Sequence, residues 1–200
     1  MNNLELIGIS ELAQLLDLNR IELRELRKSV SQSYQSYKIK KKQGGLRRIE
    51  APDIQLKAIQ HHLLHKLLNG IPTHPSIFGG PGTSIIDALR EHVRKPIVIT
   101  IDIENFFPSI KKHSVQSALV REGFQPETAK IITDLTSYHG HLPQGAPTSP
   151  ALARIVLSPA AERIDCFIRR INHICRCSIY VLESDEFSST SFLSSWQYSL

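Results

Sequence analysis

Apolar residues recur at spacings of three and four along residues 10–30, which is the period of amphipathic helices. The pattern predicts two short helices. Ser10 is expected to cap the first, and Asn19, with Glu22 three residues later, is expected to cap the second. The expected role of both helices is packing or docking of a partner, because no chemical motif lies on them.

A longer helix is predicted to begin after Asp53, because apolar residues recur about one turn apart from Leu56 to Leu67. Asn69-Gly70 is expected to end this helix.

The C-terminal half of the chain carries further helix signals. Ser84 and Asp87 have the spacing of a capping box. Two helices are predicted over residues 114–122 and 126–138, the second starting at a proline. Residues 141–150 contain three prolines and a glycine, so an irregular loop is expected there, followed by a helix that runs from Pro150 towards residue 170.

Two stretches have the pattern of strands. Residues 96–101, PIVITI, are short, continuous and β-branched, as in a buried strand that ends at Asp102. Residues 38–48, KIKKKQGGLRR, carry Gly44-Gly45 in the middle, which predicts a hairpin turn between two basic strands.

Composition narrows the class of protein. Hydrophobic residues make up 41% of 200, which is ordinary for a globular chain. No apolar run approaches the roughly 20 residues of a membrane span, and the start MNNLELIGIS lacks a signal-peptide pattern, so the cytoplasm is the expected compartment. The three cysteines, Cys166, Cys175 and Cys177, are expected to be reduced.

Two features leave alternatives open. The run from Lys38 to Arg48 holds six cations and no acid, which fits either a solvated loop or a phosphate-binding patch. Asp102 could cap the next turn. Because burying an unpaired carboxylate is costly, it could instead meet a cation, a hydrogen-bond network or a metal ion.

Three motifs together resemble the bacterial reverse transcriptases, especially the retron type, which is related to the group II intron enzymes. The motifs are RRIEAP at 47–52, VITIDIENFFPSI at 98–110 and LPQGAPTSP at 142–150. The likeness covers roughly residues 10–170. It implies an α+β fold with the fingers and part of the palm of a right-hand polymerase, a split βαβ palm sheet and no thumb.

On this resemblance the chain divides into four segments. Residues 1–36 would form an N-terminal helical segment, 37–95 the fingers and 96–177 a partial palm. Residues 178–200 form a serine-rich tail of aberrant composition, for which disorder is one interpretation.

The resemblance also assigns a metal site. DNA synthesis is phosphoryl transfer assisted by two divalent ions, and Mg²⁺ prefers oxygen ligands. Asp102 matches the first metal-binding, catalytic aspartate of the family, and Ile103 would add its backbone carbonyl. Phe107 would lie under the sugar of the incoming nucleotide and exclude a 2′-hydroxyl, or it could pack in the core beside Phe106.

Nucleotide and nucleic-acid contacts follow from the other two motifs. Arg47 matches the triphosphate-binding arginine, with Arg48 as the alternative if the register differs by one. Gln144 and Gly145 match the motif that lies against nucleotide and template. Contacts with the nucleic-acid backbone or the triphosphate are expected from three lysines, Lys40, Lys41 and Lys42.

The family's Tyr-x-Asp-Asp motif, which supplies further metal-binding carboxylates, does not follow LPQGAPTSP in this sequence. The function implied is an RNA-directed DNA polymerase that acts on a structured RNA template and primer with deoxynucleoside triphosphates, and the 200-residue chain alone is expected to polymerise weakly or not at all. Alternatives are a non-catalytic RNA-binding remnant and a subunit completed by another chain. A frameshift or early stop in a longer gene would account for the serine-rich end.

Overall fold

A computed structural model describes most of the chain. The residues described are 4, 7–41, 44–82, 84–90, 92–94, 103–170 and 179–180. The predicted strand 96–101, Asp102, Lys42 and most of the serine-rich tail lie outside these ranges.

Two short helices open the described part, as the apolar periodicity predicted. Helix α1 spans Ile9–Leu15 and α2 spans Arg20–Ser29. The capping box of α2 is confirmed, because the Asn19 side chain accepts hydrogen bonds from the Ile21 and Glu22 amides while Glu22 accepts from the Asn19 amide. The predicted cap of α1 was wrong. Gly8 occupies the N-cap position, so Ser10 is already the second residue of the helix.

The basic hairpin is confirmed. Strand β1, Tyr34–Lys40, pairs antiparallel with β2, Leu46–Pro52, in a register that places Tyr34 opposite Pro52 and Lys40 opposite Leu46. Gly44 and Gly45 turn the chain with φ angles of 91° and 85°, in the left-handed region that glycine adopts without strain.

Helix α3 spans Ile54–Lys66 and begins where predicted, with the Asp53 carboxylate accepting a hydrogen bond from the Leu56 amide at 2.8 Å. A 3₁₀ turn at Leu68–Gly70 then ends this helical region. Strand β3, Ile77–Phe78, follows.

Helix α4 spans Ile85–Arg90. The Ser84–Asp87 capping box is confirmed by reciprocal hydrogen bonds. The Ser84 hydroxyl also donates to the Asp87 carboxylate at 2.7 Å. This bond first, and the bond from the Ser84 amide second, hold the pKa of the exposed Asp87 carboxyl below its usual value.

Four helices form the second half of the described chain. They are α5, Phe106–Ser109; α6, Lys112–Arg121; α7, Pro126–Thr136; and α8, Ser149–Arg170. Helix α6 begins two residues before the predicted start, and α7 ends two residues before the predicted end. The loop before α8 is irregular, as its prolines and glycine predicted.

Helix α7 lies at the centre of the packing, with Ala129, Ile132 and Leu135 fully buried and contacts to α1, α2, α3 and α6. Strand β3 pairs in parallel with β4, Ile179–Tyr180, so the described residues contain two two-stranded sheets. The mixture of helices and strands agrees with the predicted α+β class, while the finger and palm assignments stay predictions. Within the described ranges, no helix is long and apolar enough to span a membrane.

Candidate nucleotide site

Two of the sequence motifs are joined by backbone pairing. The Leu142 amide donates to the Ile110 carbonyl at 3.0 Å, and the Lys112 amide donates to the Gly140 carbonyl at 2.9 Å. Lys111 and His141 form an antiparallel bridge between these bonds. The end of the FFPSI segment therefore lies against the start of the LPQG loop.

The third motif, RRIEAP in β2, also bonds to the LPQG loop. The Glu50 amide of β2 donates to the Gln144 carbonyl at 2.7 Å. Gly145 has a φ of +122°, and a Cβ atom at this position would lie 2.9 Å from Ile49 Cγ2 and 3.3 Å from the Glu50 carbonyl oxygen. Glycine is needed here for both its backbone conformation and its size.

A side-chain hydrogen bond also links the same two segments. Nε2 of His141 lies 2.9 Å from Oε2 of Glu50, which is only 3% exposed. Arg48 Nε approaches the other carboxylate oxygen at 3.5 Å and donates to the Ser36 hydroxyl at 2.8 Å. Neither Glu50 nor His141 was predicted from the sequence, in which the one signal is an acid inside an otherwise basic hairpin.

The two candidate arginines occupy opposite faces of the hairpin, because successive side chains of a strand alternate. Arg48 lies on the face of Glu50 and is tied to it. Arg47 is half-buried and lies on the other face with Ile49, the side chain that Gly145 contacts. Arg47 therefore lies on the face that Gly145 contacts, and Arg48 lies on the face that meets His141.

A buried tyrosine in β1 links the hairpin to α3 and to the segment after α7. The Tyr34 ring stacks on Tyr138 with centroids 4.7 Å apart, and its hydroxyl accepts a hydrogen bond from Gln60 Nε2 at 2.7 Å. The same Gln60 nitrogen donates to the Leu135 carbonyl of α7. Burial raises the pKa of the Tyr34 hydroxyl well above its usual value; the Gln60 bond opposes that shift and the nearby Glu50 carboxylate adds to it.

The LPQG loop is also fixed at its far end. The Ser149 hydroxyl, at the start of α8, donates to the Pro143 carbonyl at 2.7 Å. The loop is thus held by β2, by the segment after α5 and by α8.

Phe107 is 3% exposed, and its ring lies 5.2 Å from that of Phe106. This burial supports the core-packing alternative, and a place under the nucleotide sugar stays a prediction. Lys40 and Lys41 are exposed at the tip of the hairpin.

The metal prediction falls mostly outside the described residues. Asp102 is not described, and the neighbouring Ile103 has a side chain that is 48% exposed. Within the ranges that are described, no group of three or more histidine, cysteine, aspartate or glutamate side chains could hold a metal ion.

Comparison with known proteins decides the family. Residues 39–181 match the family model for reverse transcriptase, described as an RNA-dependent DNA polymerase. The chain belongs to the reverse transcriptase family. All three motifs lie within the matched residues.

Curated reverse transcriptases similar to this one come from bacterial retrons. The retron Mx65 reverse transcriptase of Myxococcus xanthus is 31% identical over 159 residues, covering 70% of this chain and 37% of its own length. The retron Ec86 reverse transcriptase of Escherichia coli is 29% identical over 170 residues, covering 82% of this chain and 53% of its own length. The chain thus spans between about a third and a half of the length of these relatives.

Proposed function

We propose that this protein is an RNA-directed DNA polymerase of the bacterial retron type, in which β2 and the LPQG loop form the nucleotide-binding surface. The observation that carries the proposal is the convergence of three motifs, with Gly145 packed against Ile49 and the Gln144 carbonyl bonded to the Glu50 amide.

Arg47 would bind the triphosphate. A guanidinium keeps its charge at all physiological pH values and can donate two parallel hydrogen bonds to phosphate oxygens. Its place on the same face as Ile49, which Gly145 contacts, supports this role, and Arg48 lies on the opposite face with Glu50. Gln144 and Gly145 would lie against the nucleotide and template, where the missing side chain of glycine permits close approach.

Magnesium is the cofactor expected in this family. Asp102 and the backbone carbonyl of Ile103 would hold the ion, since both offer the oxygen ligands that Mg²⁺ prefers. Bound Mg²⁺ would neutralise charge on the triphosphate during phosphoryl transfer. Lys40, Lys41 and Lys42 would contact the nucleic-acid backbone as point charges.

The 200 residues by themselves are proposed to synthesise DNA weakly, because the sequence lacks the Tyr-x-Asp-Asp carboxylates. A primer-extension assay of the purified chain on a primed RNA template with Mg²⁺ tests this. Only trace extension is expected. Robust synthesis would show that the chain holds its metal ions without that motif.

Nucleotide binding separates a polymerase from an RNA-binding remnant. Titration of the chain with dTTP and Mg²⁺ by isothermal calorimetry is expected to show saturable binding. RNA binding without any dTTP binding would contradict the proposed function and favour the remnant. If DNA synthesis increased when a second chain carrying the missing carboxylates was added, the alternative of a subunit completed by another chain would be favoured.

A further inference from the structure

Helix α3 carries a pair of histidines that the proposed nucleotide site does not use. His61 and His65 are four positions apart in the helix Ile54–Lys66, and residues at this spacing lie on the same face, one turn apart. Their ring centroids are 5.9 Å apart, and the two ring planes differ by 9°. The two imidazoles are therefore direct neighbours on one face of α3.

Both rings are available to a ligand. His65 is exposed and His61 is partly exposed. Among the described residues, neither ring takes part in a hydrogen bond or an ion pair. His62, which lies between them in the sequence, differs in this respect, since its Nδ1 atom is 3.4 Å from the Asp17 carboxylate. A ligand that binds His61 and His65 would thus displace no polar contact within the described part of the chain.

The distance between the rings suits one shared metal ion. Zn²⁺ binds an imidazole nitrogen at about 2.0–2.1 Å, so two rings that share an ion have their centres roughly 4.5–6 Å apart. Two histidines four positions apart on a helix also supply two of the ligands in helical zinc sites. The rings are stacked on each other, so each must rotate about its χ2 torsion to turn a nitrogen towards the ion, and this torsion is soft.

The nearby charges are compatible with a bound cation. Lys66 follows His65, but it is held on the His62 side of the helix, where its Nζ atom donates to the Leu15 carbonyl at 3.0 Å and lies 3.4 Å from the Asp17 carboxylate. Lys57 lies one turn before His61 and is exposed, so water and salt screen its charge.

We propose that His61 and His65 together bind one Zn²⁺ ion, with solvent completing its coordination. Two protein ligands are fewer than the four of a closed structural site, so the ion exchanges readily and keeps open positions. Its nitrogen ligands distinguish it from the oxygen-liganded Mg²⁺ expected for DNA synthesis. By joining two turns of α3, the ion would stabilise the helix whose Gln60 side chain bonds to Tyr34 of the hairpin.

Nuclear magnetic resonance of the histidine rings tests this site on the full 200-residue chain. The three cysteines of the chain also offer ligands to Zn²⁺, so the measurement must resolve single histidines. On titration with ZnCl₂, the ring-nitrogen resonances of His61 and His65 are expected to shift together, with one shared dissociation constant. Two different dissociation constants at these rings, or no shift at either, would overturn the proposal.

Single variants separate a shared ion from independent binding. His65→Ala is expected to weaken Zn²⁺ binding at His61 roughly a hundredfold, because linking two ligands commonly gains a factor of about 10²–10⁴. Alanine is the strongest helix former, so α3 should be retained. The matched control His62→Ala removes the histidine between the pair and should leave the affinity of both rings unchanged. An unchanged affinity of His61 in His65→Ala, or an equal loss in His62→Ala, would overturn the pair.

Two further measurements test the choice of ion and its place within one chain. An excess of MgCl₂ should not reverse the shifts, because Mg²⁺ prefers oxygen ligands; reversal would overturn the nitrogen-liganded site. The diffusion rate of the chain in the same samples should stay that of the zinc-free chain. Slower diffusion that His65→Ala abolishes would place the ion between two copies and overturn its assignment to one chain.

Discussion

At the scale of single residues, Glu50 links the hairpin to the LPQG loop through both its backbone and its side chain. Its carboxylate is buried and is contacted by His141 from the LPQG loop and by Arg48 from its own strand. Removing the charge of a buried carboxylate weakens the hydrogen bonds that its partners make to it, and a buried polar group with weaker bonds is costly.

Glu50→Gln keeps the size of the side chain and removes its charge. We expect it to lower the free energy of unfolding by about 2 kcal/mol, because the His141 and Arg48 contacts become weaker than charge-assisted bonds. Urea denaturation measures the change. The control Glu25→Gln breaks an ion pair in which both side chains are at least 60% exposed, and it should cost less than about 0.5 kcal/mol. Equal costs for the two variants would contradict the burial of this pair.

Gly145 offers a second test at this scale. Gly145→Ala adds a methyl group 2.9 Å from Ile49 Cγ2 at a φ of +122°, so both overpacking and backbone strain are expected, together about 2–4 kcal/mol. Gly44→Ala also has a positive φ but meets nothing within 4 Å, so it should show only the backbone cost of about 1 kcal/mol. A Gly145→Ala variant as stable as Gly44→Ala would mean that the loop is not packed tightly against β2.

At the scale of elements, the hairpin is held to the helices through Tyr34, whose hydroxyl meets Gln60 of α3 and whose ring meets Tyr138 beyond α7. The raised pKa of this hydroxyl has a consequence for alkaline stability. The native state holds the proton more tightly than the unfolded state, so the stabilisation is complete below the ordinary tyrosine pKa of about 10 and is lost as the pH rises above it.

Tyr34→Phe removes both the hydrogen bond and the titrating group. We expect the variant to be about 1 kcal/mol less stable than the unmodified chain at pH 8, with the difference shrinking as the pH approaches 11. Thermal unfolding followed by circular dichroism across this range measures the trend. Tyr37→Phe, at a side chain that is 50% exposed, should run parallel to the unmodified chain. A Tyr34→Phe curve that also runs parallel would show that the buried hydroxyl does not titrate on unfolding.

The helix caps and the hairpin turn could be predicted from residues that are close together in the sequence. Asn19 and Glu22, Asp53, and the pair of glycines in the hairpin were all placed correctly, because caps and turns depend on residues within three or four positions. Ser10 failed as a cap because Gly8, with its extended backbone, starts the helix two residues earlier. Such shifts of one or two residues arise where several residues can serve as the first cap.

At the scale of the whole molecule, the convergence of motifs could not be derived from periodicity. Glu50 and His141 lie 91 positions apart, and nothing in either local pattern specifies the other. The resemblance placed Arg47, Gln144 and Gly145 together as a group. The contacts that hold the group depend on long-range packing that a single sequence does not display.

The central claim is that the hairpin and the LPQG loop form a nucleotide site in which Arg47 binds phosphate. Calorimetric titration of dTTP with Mg²⁺ into the unmodified chain, Arg47→Gln and Arg48→Gln tests it most directly. Loss of a charge-assisted bond to phosphate predicts binding about tenfold weaker for Arg47→Gln, and no more than about threefold weaker for Arg48→Gln. Equal affinities for Arg47→Gln and the unmodified chain, or a larger loss for Arg48→Gln, would contradict the claim.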